Sequence, residues 1–64
     1  MTSKKFAAAL DDLGTSQRAF AAAIDVNERT VRNWVGGRSI VPTYIAALVH
    51  LMLDTGTSVD QLKG

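Results

Sequence analysis

The chain contains no cysteine, so it can hold neither a disulfide staple nor a thiolate metal site. At 64 residues it is near the lower limit for burying a sufficient core unaided. Its stability is therefore expected from tight helix packing, helped by association with a second copy. Long apolar runs are missing too. The longest, Tyr44 to Leu53, is broken by His50 and falls well short of the roughly 20 residues that a spanning helix needs. At the start, Lys4 and Lys5 lead into an amphipathic segment rather than a continuous apolar one, which is not a signal-peptide pattern. A single cytoplasmic domain over residues 1–64, with no membrane association, is the expectation; the lack of cysteine is compatible with that compartment. No nucleophile–base pair, phosphate-cradling loop or metal motif is present. Gly36-Gly37 follows a predicted helix rather than a strand, so it is no nucleotide fingerprint. The expectation is a protein that is not an enzyme, with no cofactor, metal or small-molecule ligand.

Nor does one sign of charge dominate. The net charge of +1 is by itself a weak argument for nucleic acid, but its distribution says more. Between residues 15 and 43, four arginines (18, 29, 32 and 38) face Asp25 and Glu28, a net of +2. The remainder sets Lys4, Lys5 and Lys63 against Asp11, Asp12, Asp54 and Asp60, a net of −1. Arginine suits phosphate and guanine geometrically as lysine does not.

What the chain does have is the stretch TSQRAFAAAIDVNERTVRNWVGG, Thr15 to Gly37. Ser16 and Asn27 are good N-caps for two short helices, since each side-chain oxygen can accept from an orphan backbone N–H. Asp25 sits where the chain must turn, and Asp tolerates the left-handed conformation better than most. Ala21 is small where the second helix must cross the first. Cap, turn, small crossing residue and second cap at this spacing predict a helix-turn-helix.

Stepping about 100° per residue puts Glu28, Arg29, Arg32 and Asn33 on one arc of the second helix. Val31, Trp34 and Val35 fall on the opposite arc, with Thr30 at its edge. The outward set carries groups that read base edges: Arg bidentate to guanine, Asn to adenine, a carboxylate to the cytosine amino group. Taken alone, such a face is as readily ordinary solvated surface.

The stretch resembles the helix-turn-helix of the phage repressor/Cro superfamily, also called lambda-repressor-like or XRE-type. The matching positions are Gln17, Phe20-Ala21, Val26, Val31, Trp34 and Gly37, with Arg38 and Pro42 downstream. The resemblance covers residues 3 to 53. Asp25 departs from the family's usual Gly, and Val35 from a frequent Glu. The likeness implies a bundle of four to five short helices, at about 3–13, 16–24, 27–35, 42–54 and 58–62. It implies phosphate contacts from Gln17, where side-chain amide and helix N-terminus face the backbone, and from Arg38 and Ser39. Arg18, Asn27 and Thr43 join that set, although Arg18 reads equally well as a solvated arginine.

Elsewhere, Ser3 is expected to cap the first helix, whose stripe is Phe6, Ala9, Leu10 and Leu13. Lys4 and Lys5 in its first turn and Asp11 and Asp12 in its last oppose the helix dipole, so tertiary packing must hold it. Gly14 is its natural stop. Phe20, Ala21 and Ile24 are expected core in the second helix. After Gly36-Gly37, either Ile40 or Val41 returns to the core, and Pro42 suits the first position of the fourth helix. That helix is apolar over about 220° of its wheel (Tyr44, Ile45, Ala46, Leu48, Val49, Leu51, Met52 and Leu53), more than one face of a small bundle uses. The tail offers a Ser58-x-x-Gln61 capping box but only Val59 and Leu62 as cover, so a homodimer through the fourth helix and tail is expected. Trp34 reads as core against the first and fourth helices, and His50 as exposed surface without ligand partners.

The functional expectation is a sequence-specific regulator of double-stranded DNA. It would bind as a homodimer, with residues 28 to 33 of each copy in successive major grooves about 34 Å apart. Glu28, Arg29, Arg32 and Asn33 would read bases. A small Cro-like repressor, prophage-borne and acting on its own promoter, is what the resemblance suggests. The rival is an antitoxin-like protein-interaction module that uses the apolar fourth helix. Structured RNA fits less well, because an α-helix does not enter its deep, narrow major groove.

Overall fold

Five helices follow one another: α1 Ser3–Asp12, α2 Gln17–Ala23, α3 Glu28–Val35, α4 Thr43–Thr55 and α5 Val59–Leu62. They belong to a computed structural model that describes residues 1–62, without the side chains of 60 and 62. No strand occurs among the described residues, and the protein is a small all-α bundle. Its radius of gyration, 10.5 Å, is that of a compact chain of this length, roughly 11 Å.

The helix bounds differ from the expected ones by a residue or so, largely because of the caps. Ser16, Asn27 and Pro42 keep extended backbone (ψ 164, 137 and 147°), so each precedes its helix rather than opening it. Pro42, expected at the first helical position, is therefore the N-cap of α4, and Thr43 begins that helix. Ser3 does not cap α1. Thr2 does, its Oγ1 accepting from the Lys5 N–H at 3.1 Å; of two adjacent hydroxyl residues, the earlier one holds the extended conformation that a cap requires. Leu13 caps α1 at its far end, and α4 runs one residue past Asp54, to Thr55.

Four helices stop in the same way. After α1, α2, α3 and α4, a left-handed residue (Gly14, Asp25, Gly37, Gly56) turns the chain, and the next N–H reaches back to the helix: Thr15 to Leu10 O, Val26 to Ala21 O, Arg38 to Asn33 O, Thr57 to Met52 O. This is the Schellman arrangement, which satisfies orphan carbonyls and aims the chain away. Asp25, at φ 59°, is the non-glycine residue with positive φ among those described. The turn between α2 and α3 is thus built where Asp25 was expected to bend.

The core is wholly apolar among the described residues. At its centre Phe6 meets Phe20 and Trp34, both edge-on at 5.8 Å between ring centroids. Such T-shaped pairs add about 0.5–1.5 kcal/mol beyond area burial. One side chain of α1 thereby anchors both helices of the helix-turn-helix. Ala9, Leu10, Ala21, Val31, Val41, Ile45, Val49, Met52 and Val59 complete the core. Val41 is the loop residue that returns to it, while Ile40 stays exposed. Leu13 and Ile24 are only half-buried; Ile24, expected in the core, is the C-cap of α2, where the chain leaves the helix. No helix of the described residues is long and apolar enough to cross a membrane.

Candidate nucleic-acid interface

The local sequence of α3 splits its two sides cleanly. Val31 and Trp34 are buried, whereas Arg29 and Arg32 are exposed and Glu28 and Asn33 are half-exposed. Trp34 packed edge-on to Phe6 fixes the rotation of the helix about its axis, and that rotation turns the arginines outward. Asn27 Oδ1 accepts from the Arg29 N–H at 2.8 Å, starting the helix at Glu28. Since that oxygen is committed to the cap, the amide NH₂ is what Asn27 has left to offer a phosphate. One expectation needs correcting. Val35 does not lie opposite the polar arc, for it is half-buried and shares a cleft with Glu28. Seven residues make nearly two full helical turns, which returns Val35 to the flank of Glu28.

On the polar face, Arg32 Nη2 donates to Glu28 Oε2 at 2.7 Å, with side chains 64% and 41% exposed respectively. An exposed i, i+4 pair of this kind contributes about 0.3–0.5 kcal/mol. Glu28 in the first turn and Arg32 in the last also suit the helix dipole. The pair restrains the two head groups without locking them.

One cleft borders α3 and another lies beyond its end. The larger, about 610 Å³, lies between α1 (Ala7, Ala8, Leu10, Asp11), the start of α2 (Ser16, Gln17, Arg18) and α3 (Glu28, Val35), with Thr15. Gln17, Arg18 and Glu28 are thus brought to one place, the first two from α2 and the third from α3. The smaller, about 220 Å³, joins Met1, Thr2 and Ser3 to Gly37, Arg38, Ser39, Ile40 and Val41. Arg38 and Ser39 therefore sit beside the start of α1, past the far end of α3. Gly37 turns the chain here with φ 78°, a conformation that favours glycine, although a Cβ there would meet Ser3 Oγ only at an ordinary contact distance of 3.4 Å. Thr43 is exposed at the head of α4 and lines neither cleft. Sequence reasoning missed Asp11, Thr2 and Ser3 as neighbours of these groups; no spacing rule links residues so far apart in the chain.

The second surface of interest lies on α4. Ile45, Val49 and Met52 are buried, but Tyr44 is 72% and Leu51 59% exposed, and Ile40 is 90% exposed in the preceding loop. Tyr44, Leu48 and Leu51 follow one another at helical spacing along one flank. Among the described residues, the tail leaves Tyr44 and Leu51 exposed. Instead α5 packs against α2, with Val59 buried beside the turn after α1. Of the capping box, the Gln61 half is made, Oε1 accepting from the Ser58 N–H at 2.8 Å; the Leu62 side chain lies outside the described residues. His50 is exposed, and no group of metal-ligating side chains occurs among the described residues.

Comparison with protein-family models, curated proteins and solved structures gave no match.

Proposed function

We propose that this protein is a sequence-specific double-stranded DNA-binding regulator, a member of the phage repressor/Cro type acting in the cytoplasm as a small repressor. One observation carries the reading: α3 buries Val31 and Trp34 and leaves Arg29, Arg32, Asn33 and Glu28 open on its other side. In this reading α3 enters the major groove, where Arg reads guanine, Asn adenine and Glu the amino group of cytosine. Gln17 and Arg18 hold phosphate across the cleft beside α3, and Arg38 and Ser39 past its far end. These contacts set register and orientation but carry no sequence information. Asn27 and Thr43 belong to the phosphate set by the same reading. Two copies joined through the open flank of α4 would present two such helices about 34 Å apart, the spacing of successive major grooves.

Selection of bound duplexes from a random pool tests this. A palindromic consensus is the expected result, and an unenriched pool would overturn the reading. Competition with structured RNA should leave the duplex bound.

A second reading is favoured by the exposure of Tyr44 and Leu51: an antitoxin-like module that grips another protein through α4. The two functions are compatible. Arg32→Ala separates them, because it should weaken operator binding and leave a partner at α4 unaffected.

A further inference from the structure

We infer that Glu28 and Arg32 read DNA as a single unit, with Glu28 as the residue that sets base preference beside the guanine held by Arg32. The inference rests on the DNA-binding reading above. Its starting point is the 2.7 Å contact between the two head groups. A guanidinium has five N–H donors in a fixed fork, and the contact joins only Nη2 to Glu28 Oε2. Donors remain for a bidentate bond to guanine O6 and N7. Oε1 of Glu28 remains to accept from a base.

Distance then constrains which bases can be read together. Two heads in hydrogen-bond contact cannot serve bases several steps apart, since successive pairs are separated by about 3.4 Å. The base under Glu28 therefore lies in the pair adjacent to the guanine under Arg32, since the partner of that guanine is cytosine whatever Glu28 does.

Charge decides which base that is. The major-groove edges of guanine and thymine present acceptor oxygens, which a carboxylate repels; cytosine N4 and adenine N6 present amino donors, which it accepts. Glu28 is also the acid of α3, on a face otherwise carrying Arg29 and Arg32, while the cleft it shares adds Arg18 and, against it, Asp11. It thus lowers attraction to phosphate at every sequence while admitting amino-bearing bases. Affinity for random DNA is lost and discrimination is gained.

Duplex selection at one fixed salt concentration, with wild type, Glu28→Gln and Arg32→Ala, tests this. In the wild-type half-site, the pair next to the guanine should carry cytosine or adenine on one fixed strand, in preference to guanine or thymine there. Glutamine both donates and accepts, so Glu28→Gln should keep the guanine but lose about tenfold discrimination at its neighbour. It should also bind random duplex about threefold more tightly, as removal of a negative charge beside phosphates predicts. Glu28→Ala, which cannot bond a base at all, should show the same loss of preference. A purely helix-stabilising Glu28 would shift the melting temperature and leave the consensus alone. An unchanged consensus in both Glu28 variants, or positions separated by more than one step, overturns the inference while the DNA-binding reading stands. An Arg32→Ala variant that keeps the full wild-type consensus overturns the recognition-helix assignment, and this inference with it.

Discussion

Helices α3 and α4 solve the same burial problem in opposite ways. Eight residues of α3 divide into a buried side anchored by Trp34 and an open side of charged groups. The thirteen residues of α4 bury Ile45, Val49 and Met52 and still leave Tyr44 and Leu51 in water. A helix whose outward side is charged is complete as it stands, and what it offers is a polar contact surface. A helix with apolar groups on its outward side has more of them than its own bundle can use. On the proposed reading, the difference separates a face for DNA from one for another apolar surface.

The contrast can be broken most severely from inside. Trp34→Ala removes the anchor that rotates α3 and should cost about 3–5 kcal/mol, most of what so small a core supplies. Far-UV circular dichroism on thermal unfolding should show a chain largely unfolded near room temperature. On the proposed dimer, surface changes on α4 act on assembly instead. Leu51→Lys should weaken dimerisation by about 1.5–3 kcal/mol per buried side chain, seen by sedimentation equilibrium, with the melting of the monomer little changed. A wild-type chain that stays monomeric at high concentration would remove the dimer from the account. On α3, Arg32→Ala should cost about 1–3 kcal/mol of specific DNA affinity and move stability by no more than about 0.5 kcal/mol. Titration at matched salt measures the first and denaturant unfolding the second. The smallest effect is expected at the turn joining α2 to α3. Asp25→Gly should relieve the cost of φ 59° and leave stability higher by at most about 1 kcal/mol. A marked loss on that change would mean that the Asp25 carboxylate does more than permit the turn.

Local rules made much of α2 and α3 legible in advance. Ser16 and Asn27 cap where they were expected, because a cap depends on the few residues around it. The same locality explains the one-residue errors: Thr2 and Ser3 carry equivalent hydroxyls, and nothing in their order says which one leaves the helix. Trp34, Phe20 and Phe6 were each readable as core from periodicity. Their meeting edge-on at Phe6 was not, since it joins residues 14 and 28 positions apart. The surplus on α4 was visible on the wheel, but that α5 turns to α2 and leaves Tyr44 uncovered depends on where the chain goes after Gly56. The Glu28–Arg32 pair had the right spacing in plain sight; only the geometry shows the two heads in contact.

The amino-acid sequence alone determined, to within a residue, where the helices begin and end and which side of α3 carries Val31 and Trp34, because capping and periodicity act within one or two turns. Only the tertiary structure decided what stands next to that helix: Gln17 and Arg18 across one cleft, Thr2 and Ser3 beside Arg38 across another. Those neighbours come from distant parts of the chain. They meet because Phe6, Phe20 and Trp34 have to share one dry interior.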